Sequence, residues 1–473
     1  MHIETVRNEA LSENGYFLYD AGEAVVIDPM RAISPYLEKL AATNIRLKYV
    51  LMTHFHADFI SGHQELAART GATIVFGPTA KPLYRAHIAK DNDLLHVGES
   101  TIKVLHTPGH SLESTSFLVS NASGKDIAIF TGDTLFVGEI GRPDIVQQLK
   151  SEITPEFLAG LLYDSLRNKI LPLSDDIMIY PAHGAGSDCG KNIGNSPVDT
   201  IGHQKKVNYA LNPQLQRDRF IAIATEGLPV PPAYYPFNVL LNQSACTTTQ
   251  EEMMCNGLHP LTVNAFEKAR EENAALIIDT RAVSAFSTAF IPGAVYIALD
   301  DQFSKLTGAL ITDLQQPILL VLDEGTEQAV ISRLVNIGYN NTIGYLQGGI
   351  EAWIKAEKPV AALLHIEAYD FENNYHQQQG ICLMDVRKTC EYNSQHIIGS
   401  KHFPLGEIYK WSKTLNPDNT IHLLCSSGNR SATAASILAA GGFGNVLNIT
   451  GGIQALLNTD LPRSAYQEPV SQL

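Results

Sequence analysis

The chain alternates short apolar runs with polar breaks rich in glycine, proline, serine and asparagine. Runs at 24–27, 47–52, 72–76, 101–105, 126–130 and 177–180 are dominated by Val, Ile, Leu, Phe and Tyr and read as strands. Stretches at 34–42, 62–70 and 154–169 lie between them and read as helices. Strands with helices outside them predict an α/β sandwich. A helix-like stretch at 203–216 leads into Leu228-Pro-Val-Pro-Pro-Ala-Tyr-Tyr-Pro236. That proline-rich run predicts an extended, stiff connector closing the first domain.

Beyond it the pattern repeats. Asp279-Thr-Arg281 recurs as Asp385-Val-Arg387, and Ile291-Pro-Gly293 as Ile397-Ile-Gly399, both at an offset of 106 residues. Gly348-Gly349-Ile350 recurs as Gly451-Gly452-Ile453 at an offset of 103, so the second copy has lost about three loop residues. A period this long is not a solenoid's and predicts two tandem copies of one small domain. Each copy has an apolar run before its central loop, at 317–321 and 421–424, and a helix after it. This is the strand–loop–helix unit of a parallel sheet. The expected boundaries are 1–245, 256–361 and 362–473.

Composition narrows the class. At 473 residues, with 45% hydrophobic and 18% charged residues, the chain has material for several cores, and about 150 residues per domain predicts three. A formal charge of −15 argues against binding nucleic acid or an anionic membrane. Residues 1–14 are mixed polar, and no apolar run reaches the length of a membrane span. The six cysteines (189, 246, 255, 382, 390, 425) have no framework spacing, which suggests reduced thiols and a cytoplasmic location.

Four strand-like runs end in metal-binding residue types. The run at 47–52 precedes Thr53-His54-Phe55-His56-Ala57-Asp58-Phe59. The runs at 101–105, 126–130 and 177–180 lead to His110, Asp133 and His183. Ligands at successive strand ends converge on one edge of a sandwich, and this imidazole–carboxylate set suits iron or zinc. His63, His87, His96 and His106 lack that placement and read as surface or supporting residues.

On these residues the first 240 positions resemble the metallo-β-lactamase superfamily, whose usual signature is H-x-H-x-D-H with a later His, Asp and His. The version here is similar to its persulfide dioxygenase branch. That resemblance implies an αββα sandwich holding one Fe(II), with zinc possible as purified, on His54, His110 and Asp133. Two imidazoles and one carboxylate leave three coordination positions open. His56, Asp58 and His183 would then orient ligands or water. Phe59 stands where the superfamily pattern places its next histidine. A phenyl ring binds no metal, so the departure is the one a single-metal site predicts. Gly138-Glu-Ile-Gly-Arg142-Pro-Asp144 resembles a loop of the same branch, in which Arg142 either clamps substrate or pairs with Asp144 or Glu139. Cys189 is either a pocket thiol or a buried bystander.

Near the end, Cys425-Ser426-Ser427-Gly428-Asn429-Arg430 follows one apolar run and precedes an Ala-rich helix. A cysteine beneath loop N–H groups at a helix N-terminus, with Arg430 closing the loop, should be held as thiolate. The two repeats resemble rhodanese sulfurtransferase domains, each an α/β unit with a parallel sheet. The C-x4-R spacing is the short sulfur-handling loop rather than the longer C-x5-R of phosphatases. In the first copy Leu322 and Glu327 stand at the positions of Cys425 and Arg430, so that copy is expected to be inactive.

The resemblance implies a two-step enzyme of sulfide detoxification. The iron site oxidises the outer sulfur of a low-molecular-weight thiol persulfide with O2 to sulfite and free thiol. Cys425 either supplies persulfide to it or passes sulfur to sulfite, making thiosulfate. A zinc-dependent thioester hydrolase of the glyoxalase II type, with accessory rhodanese modules, and a non-enzymatic persulfide sensor remain open as alternatives. The expected partners are these small molecules and further copies of the chain, as a dimer or tetramer.

Overall fold

The computed structural model describes residues 1–145, 152–228, 231–377 and 381–467. Its first unit runs from Met1 to Gln250 and is built on two six-stranded sheets. One sheet is ordered His2–Asn8, Glu13–Asp20, Glu23–Ile27, Arg46–Met52, Thr73–Phe76, His87–Ile88. The other is ordered Asp199–Thr200, Met178–Pro181, Asp126–Gly132, Thr115–Ser120, Ser100–His106, Leu94–Val97.

Successive strand side chains point to opposite faces, and here both faces are covered. Tyr16, Leu18, Val25, Ile27 and Leu51 join Val104, Phe117, Val119 and Phe130 between the sheets. Their neighbours Phe17, Ala24, Val26, Val50 and Met52 pack outward against Tyr36, Leu66 and Ala67 of two covering helices, Ser34–Thr43 and His63–Thr70. Leu105, Leu118, Ile129 and Ile179 pack likewise against Leu158, Leu162 and Phe220. This is a four-layer αββα sandwich, and the double burial explains why its strands read as unbroken apolar runs. Each fully buried Leu, Val, Ile or Phe contributes roughly 1.5–3 kcal/mol, so the central layer alone holds much of the unit's stability.

Strand direction gathers the site. Asp126–Gly132 runs parallel to Met178–Pro181, so Asp133 and His183 leave the same edge. Ser100–His106 reaches that direction through two antiparallel pairings, which brings His110 to it as well. Thr53, at the end of Arg46–Met52, accepts the Thr115 N–H across the sheets at 2.9 Å.

Two expectations change. The helix expected over 203–216 is Ile201–Val207 followed by a single 3-10 turn, Tyr209–Leu211. Asn208 leaves helical geometry, its side-chain amide reaches the carbonyls of Phe136 and Glu139, and Pro213 prevents resumption. The proline-rich connector is also not simply extended. Pro229 and Val230 lie outside the described residues, but Tyr235–Gln243 is a helix with Pro236 in its first turn, where the missing N–H costs nothing.

The second unit comprises Glu251–Val335 and Tyr339–Gln472 and contains two five-stranded sheets of identical order. The first is Pro260–Leu261, Thr342–Leu346, Ile318–Val321, Leu276–Asp279, Val295–Tyr296. The second is Leu364–Ile366, Val446–Ile449, Ile421–Leu424, Cys382–Asp385, Lys401–His402. All pairings in both are parallel. The Asp-x-Arg repeats form the same buried clasp: Arg281 chelates Asp279 and reaches Ala289 O, and Arg387 chelates Asp385 and reaches Gln395 O. Tyr296 N–H donates to Ser436 Oγ at 3.0 Å, joining the first copy's edge strand to the helix Asn429–Ala440 of the second. Among the described residues no helix is long and apolar enough to cross a membrane.

Candidate metal centre and cysteine loop

His54, His110 and Asp133 are buried together at the sandwich edge. Asp133 Oδ2 lies 3.4 Å from His110 Nε2 and 3.9 Å from His54 Nε2. The far side of each imidazole is fixed. His110 Nδ1 lies 2.9 Å from the Arg142 carbonyl, which can only accept, so Nδ1 carries the proton. Thr53 Oγ1 gives its own proton to Asp28 at 2.7 Å and therefore accepts from His54 Nδ1 at 2.9 Å. Both rings thus present an unprotonated Nε2 toward Asp133, the arrangement in which imidazoles bind a metal. Burial, then neighbouring imidazoles, push the His54 ring well below its ordinary value, which also favours the neutral ligand form.

Two glycines make the approach possible. A Cβ on Gly141 would stand 2.0 Å from Asp133 O and 2.9 Å from His110 Nδ1. Gly132 has φ +52°, and a Cβ there would meet the Thr53 side chain at 2.7 Å.

His56, Asp58 and His183 do more than surround this trio. His183 Nε2 lies 3.5 Å from Asp58 Oδ2 and 3.6 Å from Asp133 Oδ1. The three form a second buried group whose candidate ligand atoms all lie within 4.8 Å of one another, and Asp133, His183 and Cys189 form a third. Among the described residues, both carboxylate oxygens of Asp133, Asp58 Oδ1 and both ring nitrogens of His183 have no hydrogen-bond partner. Buried polar atoms are rarely left so, and a cation among them satisfies the set. The donors fit a divalent metal, and they offer overlapping positions rather than one. Burial would lower the His56 ring, but Asp28, 3.2 Å away, and then Asp58 and Asp133 raise it to about 9. Phe59 is buried with its ring 4.3 Å from that of His56, an apolar wall where another donor would stand.

The Arg142 side chain is held by its neighbours in the chain. Its Nε and Nη2 both donate to Asp144 at 2.7 Å and its Nη1 to Asp188 O, while its N–H donates to Cys189 O at 2.8 Å. It therefore ties two loops together and aims its carbonyl at His110; Glu139 is engaged instead with Ile140 N and Tyr209 Oη. Cys189 is buried against Phe136 and Ile193, and burial, with Asp58 and Asp133, pushes its thiol well up. His63 is not at the surface: it is buried against Tyr84 at 2.6 Å, and burial takes its ring down to about 3.

The helix Tyr235–Gln243 supports the His54–Asp58 loop from beneath. Asn242 donates to His56 O and Phe59 O, both at 2.8 Å, and accepts Ser61 N–H at 2.9 Å. Tyr234 Oη donates to Asp58 O. The prolines masked this role in the sequence.

In the second unit Cys425 is buried at the end of Ile421–Leu424. Its sulfur accepts the Gly428 N–H at 3.1 Å and lies 3.4 Å from Ser431 Oγ. Gly428 has φ +107°, which turns that amide inward. The amides of Ser426, Ser427 and Asn429, expected to converge with it, make no bond to the sulfur among the described residues. Arg430, in the first turn of the helix, does close the loop, through a partner the sequence reading missed. Its Nη1 and Nη2 grip both oxygens of Glu391 at 2.7 and 2.8 Å, and Ser426 Oγ bonds to each. One signal was available: Glu391 lies six residues beyond Asp385, and the matching position of the first copy is Ala285. That copy has lost the cysteine, the arginine and the glutamate together.

Residues 9–183 match the Metallo-beta-lactamase superfamily model, and residues 262–356 and 367–459 each match the Rhodanese-like domain model. With the sheets above, the chain is a metallo-β-lactamase-fold domain followed by two rhodanese-like domains. A metallo-beta-lactamase from Staphylococcus aureus subsp. aureus COL is similar over 73% of this chain and 98% of its own, at 29% identity and TM-score 0.64. ETHE1 from Myxococcus xanthus is 28% identical over 51% of this chain and 100% of its own, at TM-score 0.43. A hydroxyacylglutathione hydrolase of Francisella tularensis subsp. novicida (strain U112) is 35% identical over 177 residues, 37% of this chain. The chain spans 64% of that relative's length.

Proposed function

We propose that the first domain is a non-haem Fe(II) persulfide dioxygenase and that Cys425 is a sulfur carrier working with it. The reaction consumes R–S–SH, O2 and water and yields R–SH, sulfite and two protons. The observation that carries this reading is the His54–His110–Asp133 trio, with both Nδ1 protons anchored, both Nε2 atoms free, and Phe59 removing a ligand from the neighbouring position. His54, His110 and Asp133 would hold the iron, which when bound supplies the redox chemistry joining dioxygen to sulfur.

The chain's own residues do the rest. Thr53 and Arg142 keep the imidazoles aimed, at a cost in metal affinity if either contact is lost. His183 and Asp58 stand beside Asp133, placed to take protons released as the persulfide is consumed. Phe59 and Phe136 exclude water from that side. At the second site Cys425 thiolate attacks the outer sulfur of a persulfide, the S–S bond breaks, and the thiol leaves with the proton.

A second reading, a zinc-dependent thioester hydrolase, is favoured by the His56–Asp58–His183 group, which supplies donors for another cation, and by the hydroxyacylglutathione hydrolase likeness. Anaerobic purification with iron and zinc quantified, then oxygen uptake on thiol persulfides beside thioester cleavage, separates the two. Iron with oxygen uptake supports the first; zinc with thioester cleavage and no oxygen uptake overturns it. Cys425→Ser should retain oxygen uptake on added persulfide while losing sulfur transfer.

A further inference from the structure

Anionic sulfur donors and acceptors such as thiosulfate and sulfite carry two negative charges and need a cation beside the reacting cysteine. From Cys425 to Ser431 the loop carries one, Arg430. Its guanidinium is committed: both terminal nitrogens face the Glu391 carboxylate, and Ser426 Oγ completes a closed ring of contacts. The Glu391 carboxylate is further pinned by the Lys388 N–H at 3.1 Å. The other arginine nearby in sequence, Arg387, is chelated by Asp385. The pair beside Cys425 is therefore neutral, and an arriving dianion meets a carboxylate as well as a guanidinium.

We infer that Glu391 is a specificity-determining residue which selects low-molecular-weight thiol persulfides over oxyanions as the exchange partner of Cys425. The inference rests on the reading of Cys425 as a sulfur carrier. A persulfide brings at most one charge to the loop, and transfer conserves charge and electrons. Cys425–S⁻ and R–S–SH give Cys425–S–S⁻ and R–SH, and the reverse step returns the sulfur to a thiol. No further oxidant or reductant is needed. The loop thus opposes the unwanted partner by like charge rather than by shape.

The test is a competition on the full-length protein between a thiol persulfide and thiosulfate as donors. Persulfidated Cys425 is measured by intact mass and kcat/KM is obtained for each donor. The wild type should favour the persulfide by about tenfold or more, as expected where a dianion must approach a carboxylate with no uncommitted guanidinium in the loop. Glu391→Gln should raise the thiosulfate-to-persulfide ratio about fivefold and make it fall more steeply with salt. Glu391→Asp keeps the charge and should keep the wild-type ratio. Arg430→Gln leaves the carboxylate unopposed and should lower the ratio below wild type. A general disturbance of the loop would move these variants in one direction, whereas the charge argument requires opposite directions. A wild type that prefers thiosulfate, or a ratio unmoved in Glu391→Gln, overturns the inference. If Cys425 gains sulfur from neither donor, the carrier reading itself falls.

Discussion

The carbonyl of Arg142 holds the back of the His110 ring at 2.9 Å, while the Arg142 side chain turns away to grip Asp144. One residue thus fixes the tautomer of a candidate metal-binding imidazole through its main chain and locks the adjoining loop through its guanidinium.

His110→Ala should therefore lose metal and oxygen uptake together. Metal analysis of the purified variant should show at least a tenfold drop in bound iron, the loss expected when one of three ligands goes. Chelation of the wild type should reproduce the activity loss reversibly. A variant that keeps its iron would remove His110 from the ligand set.

Gly141→Ala places a methyl group 2.0 Å from Asp133 O, a backbone atom, so something must shift. The chain should still fold, at a cost of about 1–3 kcal/mol for the forced shift. Metal affinity should fall roughly 10- to 100-fold because Asp133 and His110 are displaced. Thermal melting and iron titration read the two effects separately.

Asn242→Ala leaves two carbonyls and one amide beneath the His54–Asp58 loop without partners. The expected cost is about 2–4 kcal/mol, the range for stranding buried polar groups. Bound metal should decline although Asn242 touches no candidate ligand side chain. Unchanged melting with full metal content would refute this supporting role.

Burial would raise the Glu391 carboxyl, yet the Arg430 guanidinium, helped by the Lys388 N–H and the Ser426 hydroxyl, brings it from 4.5 down to about 2. A carboxylate with a depressed folded value stabilises the protein fully above its unfolded value and loses that contribution as pH falls toward its folded one. The window is therefore from about 4.5 down to about 2. With solvent screening at a pair roughly a quarter exposed, the contribution is about 1–3 kcal/mol. Glu391→Gln should melt below the wild type near neutral pH, and the gap should close as pH drops through that window.

Much of the candidate site was legible because each candidate ligand follows closely on an apolar run. A strand buried on both faces announces its end in sequence, and His54, His110, Asp133 and His183 all stand just past such ends. Cys425 was legible for the same reason, and the first copy's lack of that cysteine and arginine showed in Leu322 and Glu327. What stayed hidden depends on contacts far apart in the chain. Asn242 reaches back 186 residues to His56 O, and the prolines before it suggested a connector. Glu391 lies 39 residues from Arg430 and gives no local pattern. The second donor group was read as support for the first, since spacing cannot say whether His56, Asp58 and His183 meet one another. The choice for Arg142 required seeing Asp144 beside it.

The hydrogen bond from Tyr296 to Ser436 reaches into the helix that carries Arg430. A module with leucine at the loop position thereby props the helix that follows its sibling's cysteine. Drift along that edge strand would be felt at the helix behind Cys425, so the absence of a loop cysteine need not bring freedom to vary.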